Sequence, residues 1–172
     1  AAGKLSFAEG LVHFPVIHNI LKLMFTEDDG DGESCDQLMF FLSWLKYFYV
    51  SSLNNDPRQG HAIVIAGPAN KGKTLLNRYI IGALMGGYAD ATSHLVGDEK
   101  WTARLIDSPI MCIDDAKGAE ARNHLQFSNK LKKYTANAEM IYEQKYQRSA
   151  ALPWYGRTII TCNLDSESLR IL

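Results

Sequence analysis

The sequence predicts an α/β fold: a three-layer sandwich with a mostly parallel central sheet, preceded by a helical N-terminal region. Three observations predict it. Apolar, β-branched runs at about 61–66, 109–113 and 158–162 alternate with helical stretches at about 73–85 and 119–134. Strand–helix alternation of this kind builds parallel sheets covered on both faces. Residues 1–58 lack such runs and carry helical spacing instead. Finally, the first strand ends in Gly67-Pro68-Ala69-Asn70-Lys71-Gly72-Lys73-Thr74, and Leu75 to Leu84 then read as a helix.

Taken in order, Leu11, Phe14, His18, Leu21 and Phe25 recur at helical spacing, and Pro15 places the helix start near it. Thr26 to Glu33 is an acidic, Gly-containing run. It loosely resembles a calcium loop, but the twelfth position from Glu27 is Leu38, where a bidentate Glu is needed, so a solvated linker is expected. Ser34 and Gln37 make a capping box. The helix after it, to about Ser52, is apolar all round, which suits a core or a subunit interface. Asn54 to Pro57 break it, and the core region is taken as 59–172. A weaker strand is expected near 92–96, and a hairpin between Glu139 and Arg148, from Met140-Ile141-Tyr142 and Lys145-Tyr146.

A length of 172 residues suffices for a real hydrophobic core. Cys35, Cys112 and Cys162 show neither metal nor redox spacing, which suggests a reducing, cytoplasmic setting and buried, inert thiols in the strands. No signal-peptide pattern is read in this sequence, and the apolar stretch Leu38 to Val50 is too short to span a bilayer. The chain opens without Met and stops at Arg170-Ile171-Leu172, so a fragment of a longer protein, truncated at its C-terminus, is expected. Net charge is −1, unevenly spread: residues 1–60 are net −4 and residues 117–157 net +5. A basic end on a neutral chain fits a nucleic-acid face, although a solvated helix face explains it equally well.

The sequence 67–74 is G-x-x-x-x-G-K-T after a strand and before a helix, the loop that cradles nucleotide phosphates. Its glycines permit the tight turn that points successive N–H groups into one concavity. Lys73 can reach the β- and γ-phosphates, and Thr74 offers a hydroxyl to Mg²⁺. The expected ligands are therefore ATP and Mg²⁺. About 40 residues on, Ile110-Met111-Cys112-Ile113-Asp114-Asp115 ends an apolar strand in two acids. Asp114 is read as the metal-shell carboxylate and Asp115 as the general base that polarises water. Thr158-Ile159-Ile160-Thr161-Cys162 leads to Asn163. At a strand end beside the γ-phosphate its amide would orient water, though an Asn after a strand is by itself usually a turn residue.

This series resembles the superfamily 3 helicases of viruses and mobile elements, which are AAA+ phosphate-loop ATPases, over most of 61–165. Gly67 to Thr74, including the Pro after the first Gly, looks like their phosphate loop. Trp101, Leu105, Asp107 and Asp114-Asp115-Ala116 are similar to the acid-pair region of the papillomavirus-type replication helicases, and Thr161-Cys162-Asn163 to the third motif. The resemblance implies a hairpin whose basic residue holds one DNA strand, and Lys145-Tyr146 falls there. The papillomavirus type has Lys-His at that place, and this chain is closer to the helicase part of phage and plasmid primase–helicases. Tyr146 can stack on a base or sugar. The resemblance further implies a homo-oligomeric ring, a hexamer in that family, with the N-terminal helices as a collar. It implies single-stranded or forked DNA as partner. Arg170 is not equated with the family's arginine finger.

The expected function is ATP-driven translocation on DNA. Two rivals stand beside it, a nucleotide-switched binding or oligomerisation module and an AAA+ remodeller of proteins. Lys132 and Lys133 are read as a solvated helix face, and Trp101 as core. Trp154 and Tyr155 are not read as lining a nucleic-acid path. The five histidines show no ligand spacing.

Overall fold

A computed structural model describes residues 13–25, 37–97, 99–114, 124–136 and 139–164. Leu11, the acidic run Thr26 to Glu33, Ser34, Cys35, Asp115, Ala116, Lys117, Arg122 and Arg170 lie outside the described residues. The chain divides into two compact units, Ala1–Tyr47 and Phe48–Leu172.

In the first unit, α1 spans Pro15–Phe25 and α2 begins at Gln37 and runs to Leu53. Pro15 opens α1, where its missing N–H costs nothing. Phe25 stacks on Phe41 with ring centroids 4.6 Å apart. The uniform apolarity of α2 resolves into two faces. Leu38, Phe41 and Phe48 are buried along one stripe, while Phe40 is 75% exposed and Met39, Tyr47 and Val50 are exposed too.

The second unit carries a four-stranded, wholly parallel sheet of β1 (Ile63–Ala66), β2 (Tyr88–Asp90), β3 (Ile110–Asp114) and β6 (Arg157–Cys162), in the order β1-β6-β3-β2. Every residue of β6, and every residue of β3 up to Ile113, is buried. Both faces of these central strands are therefore covered, and for that reason they read as continuous apolar runs without alternation. The edge strand β1 buries only Ile65. The expected strands at 61–66, 109–113 and 158–162 are all present, shifted by one or two residues.

Between the strands lie a π-helical segment Leu75–Ile81 that continues into α3 (Gly82–Met85), then α4 (Thr92–Val96), α5 (Ala103–Ile106) and α6 (His124–Ala136). The expected helix 73–85 is thus present, opening at Lys73-Thr74 and passing through a π-helical stretch, a form that recurs at functional sites. Gly86, at φ 90°, stops it with its N–H on Gly82 and Ala83 carbonyls. The strand expected near 92–96 is instead the short helix α4, and the strand lies earlier, at Tyr88–Asp90. The Asp90 side chain decides this: its Oδ1 accepts the Thr92 N–H at 2.8 Å, an Asx turn that ends the strand and starts the helix despite the β-branched residues there. A hairpin is present, as a separate two-stranded antiparallel sheet, but it is longer than expected: β4 (Glu139–Tyr142) pairs with β5 (Ala150–Pro153), and Lys145-Tyr146, expected as its second arm, lie in the turn between the strands.

Under the sheet, α4 and α6 meet at His94. It is buried, with its ring 5.7 Å from that of Tyr134 in an edge contact. Lys130 Nζ donates to the His94 carbonyl at 2.8 Å. Burial first, and then the Lys130 charge, hold the imidazole below its ordinary 6.5, while Glu99 and Glu143 pull weakly the other way. A base whose pKa is lowered by folding binds more protons when unfolded, so stability rises with pH. Its contribution is full above pH 6.5 and is lost as pH falls through the folded-state value. Denaturant titrations from pH 7.5 to 5 are expected to show a decline that His94→Gln flattens. An equal slope in both proteins would assign the decline to other groups.

Candidate functional site

The strand order carries the site. The last strand, β6, is inserted between β1 and β3, so the carboxyl ends of β1, β6 and β3 stand side by side. Register aligns Ala66 with Cys162 and Asp114 with Thr161. Neighbouring strands lie about 4.8 Å apart, which puts the loop after β1, Asn163 and Asp114 within about two strand spacings of one another. Ligands of open parallel sheets bind at this end.

The loop geometry follows from its residue types. Gly67 N–H donates to the Cys162 carbonyl at 3.2 Å, tying the loop start to β6. Asn70 at φ 61° and Gly72 at φ 86° occupy the left-handed region, which Asn tolerates and Gly enters freely. Lys73 Nζ donates to the carbonyls of Gly67 and Pro68 at 2.8 Å each, and to Asn163 Oδ1 at 3.1 Å. The ammonium therefore joins two of the three motifs directly. The second and third acid-side partners close the set: Thr74 Oγ1 donates to Asp114 Oδ2 at 3.0 Å, and Thr161 Oγ1 donates to Asp114 Oδ1.

Lys73, Thr74, Asp114 and Asn163 line an open pocket of about 750 Å³ together with Ala69, Asn70, Lys71 and Gly72. Of the residues named from sequence, Lys73, Thr74, Asp114 and Asn163 converge there, and Asp115 lies outside the described residues. Lys145 and Tyr146 do not line it. The pocket also takes Asp90, Thr92 and Ser93 from the β2 end, which sequence reasoning missed. Thr92 Oγ1 accepts the Asp114 N–H at 3.0 Å. The Asp90-Ala91-Thr92 pattern of an Asx turn was the available signal, but a three-residue strand shows no usable periodicity. In the sequence Thr161 stands only as a member of Thr161-Cys162-Asn163, yet it braces the carboxylate directly. A second cavity of about 320 Å³, lined by His61, Tyr134, Trp154 and Thr158, lies at the opposite, amino ends of β1 and β6 and holds none of the motif residues.

Behind the pocket the Cys112 thiol is pushed up to about 12, by burial first and then by the carboxylates of Asp90 and Asp114. Cys112 and Cys162 are both buried. At neutral pH the Cys112 thiol stays protonated and inert.

The hairpin presents the other sequence candidates. Gln147 N–H donates to the Gln144 carbonyl at 3.2 Å, closing a turn with Lys145 and Tyr146 at its centre. Tyr146 has φ 65° and is 92% exposed, and Lys145 Nζ sits 4.9 Å from its ring centroid. A turn with positive φ at its third position favours Gly or Asn, so a Tyr there is strained, a feature that gathers at functional sites. Trp101, expected in the core, is 39% exposed, with Lys100 Nζ 5.5 Å from its ring centroid. The chain before α5 simply runs over the surface. The basic stretch is also thinner than its charge sum. Arg157 is 1% exposed, with its guanidinium over the Phe48 ring at 4.6 Å, and Lys130 is half-buried against His94. Lys132, Lys133, Lys145 and Arg148 remain on the surface.

Fold and site together define a mixed α/β protein of the phosphate-loop type. The chain belongs to the DUF5906 family, described as a family of unknown function, whose model matches residues 65–170. Among solved structures it is similar to the apo structure of the NrS-1 C-terminal region (305–718), at 18% identity with a TM-score of 0.63. It is equally similar to an A-form apo structure of the same region, at 19% identity and TM-score 0.63. Each likeness covers 87% of this chain and 33% of the other. The chain thus spans about a third of those neighbours, and at such identity the likeness speaks for the fold alone. No curated protein matches the sequence. Among the described residues no helix is long and apolar enough to cross a membrane.

Proposed function

We propose that this chain is the ATP-hydrolysing core of a DNA translocase or helicase of the superfamily 3 type, acting in replication of a phage, virus or mobile element. The observation that carries the reading is the convergence of three strand ends on one pocket, with Lys73 hydrogen-bonded to Asn163 and Thr74 to Asp114. A hydroxyl and a carboxylate held together at a phosphate loop are oxygen donors of the kind Mg²⁺ takes alongside substrate phosphates. Thr74 and Asp114 would hold that ion, which would neutralise charge on the phosphates. Lys73 would leave the Gly67 and Pro68 carbonyls for the phosphate oxygens, Asn163 would orient water, and Asp115 would take its proton. The family resemblance adds a homo-oligomeric ring, in which a neighbour completes each site.

DNA enters the reading through the hairpin. A strained, exposed Tyr beside a Lys offers a flat face and a charge to a single strand. Lys145→Ala is expected to weaken single-stranded DNA binding, lower the log–log salt slope by roughly 0.7 and leave unstimulated ATP hydrolysis intact. Tyr146→Ala should lose roughly 1–3 kcal/mol of binding with little change in salt slope. Tyr146→Gly should in addition raise stability by up to about 1 kcal/mol by relieving the left-handed strain. Salt-dependent binding titrations and unwinding assays in the full natural chain check the first two, and denaturant unfolding checks the third. Unchanged DNA affinity and unwinding for both Lys145→Ala and Tyr146→Ala would favour the remodelling of protein instead.

A further inference from the structure

The hairpin and the pocket are joined by a strap that neither motif contains. Thr102, buried at the start of α5, uses its hydroxyl twice: Oγ1 donates to the Ile141 carbonyl and accepts the Glu143 N–H at 2.8 Å. Its own N–H and that of Ala103 both donate to the Glu143 carbonyl at 3.1 Å. The first foot of the hairpin, where β4 leaves for the tip, is thus fixed at four points. The second foot is fixed as well. Buried Trp154, just after β5, donates from Nε1 to the Ser108 carbonyl at 3.3 Å, and Arg157 N–H donates to the Pro109 carbonyl at 2.9 Å.

Both feet therefore rest on one segment, residues 102–109, and that segment runs without interruption into β3, which ends at Asp114. The hairpin itself runs on into β6, which ends before Asn163. Those two strands are paired in register along their length, and their ends hold the Thr161–Asp114 and Lys73–Asn163 contacts. A single helical turn and two paired strands are stiff on the scale of a hydrogen bond. A bonded path therefore runs from Asp114 and Asn163 through β3 and β6 to both hairpin feet.

Resting on the proposed function, we propose that Thr102 and Trp154 are positioning residues that couple the Lys145-Tyr146 tip to the nucleotide pocket. The Thr102 hydroxyl locks the outgoing foot because one atom serves as donor and acceptor at once, leaving no freedom of rotation. The Trp154 indole pins the returning foot. Neither residue lines the pocket, and neither stands in the tip turn, so each acts through what it holds.

The test compares wild type, Thr102→Val, Thr102→Ser and Trp154→Phe in the full natural chain, with ATP·Mg²⁺ and a forked DNA bearing a single-stranded tail. Lys73→Ala serves as the inactive control, and thermal unfolding reports folding. Thr102→Val keeps the shape and removes both hydroxyl bonds, Thr102→Ser keeps the hydroxyl, and Trp154→Phe keeps an aromatic, though smaller, ring and removes the N–H. Unstimulated hydrolysis should stay within about twofold in all three. The DNA-stimulated increment and the base pairs opened per ATP should fall about tenfold or more in Thr102→Val and Trp154→Phe, since misplacing a working group by about 1 Å can cost a hundredfold. Thr102→Ser should restore both, which a merely structural role for the side-chain volume would not predict. Wild-type coupling in a folded Thr102→Val overturns the inference for Thr102 and leaves the function standing. Should Thr102→Val not fold, Trp154→Phe decides in the same way. A wild-type chain that neither hydrolyses ATP nor binds the fork overturns the proposed function, and the inference with it.

Discussion

Lys73→Ala is expected to lower ATP turnover by two orders of magnitude or more while leaving the fold intact. The ammonium is the cation whose contacts, Gly67 O, Pro68 O and Asn163 Oδ1, place it between the loop and the β6 end. The Pro68 contact is exposed and the Gly67 and Asn163 contacts are only part-buried, so on truncation these acceptors turn to water, and the stability cost should stay within about 0.5 kcal/mol, as for surface substitutions. Catalysis does not have that escape. Charge that develops on a transferring phosphoryl group is stabilised by groups already in place, and losing one costs on the order of 3 kcal/mol, which is about a hundredfold in rate. Steady-state turnover and a thermal melt, measured on the same preparation, separate the two effects. Near-normal turnover in a folded Lys73→Ala protein would remove the phosphate-loop reading and everything built on it.

What was legible in the sequence was legible because chemistry at a strand end restricts residue types. Gly67 to Thr74 and Asn163 follow strands and Asp114 ends one; the central strands β3 and β6, buried on both faces, announce themselves as unbroken apolar runs, and the edge strand β1 is apolar too although it buries only Ile65. The structure brings these residues to one pocket in a way the sequence could suggest but not place, since the insertion of β6 between β1 and β3 is long-range pairing. Illegibility had equally physical causes. β2 is three residues long, and an Asx turn at Asp90 overrode the β propensity of Thr92 and Val96. The π-helical register of Leu75–Ile81 leaves no mark in a spacing that still looks helical. Arg157 counted as a surface charge although it lies buried over Phe48, because a charge sum ignores burial. Trp101 was assigned to the core from its neighbours, yet the chain there crosses the surface. Thr102 gave no signal at all: its partners, Ile141 and Glu143, are about forty residues away.

Asp114→Asn should weaken the Mg²⁺ dependence of both nucleotide binding and turnover, whereas Asp115→Asn should bind ATP·Mg²⁺ normally and hydrolyse it poorly. The Asp114 carboxylate accepts from two hydroxyls, Thr74 on one oxygen and Thr161 on the other. An amide of the same shape keeps one acceptor, and the hydroxyl facing its new NH₂ can rotate to accept in turn, so the scaffold should lose only about 1 kcal/mol. What the amide cannot replace is the negative charge behind Thr74. A metal held through a hydroxyl and a carboxylate depends on that charge in the bound state, before any chemistry, so the Mg²⁺ concentration for half-maximal binding should rise by about ten- to a hundredfold. A base that polarises water acts only in the transition state, so its loss lowers turnover without touching affinity. The opposite outcome, with Asp115→Asn shifting the Mg²⁺ titration and Asp114→Asn leaving it in place, would exchange the two roles. The Thr74–Asp114 hydrogen bond would then be a brace for the loop alone. Thr74→Val distinguishes that case, since it removes the brace and the metal oxygen together, and should shift the Mg²⁺ titration only if the hydroxyl faces the ion.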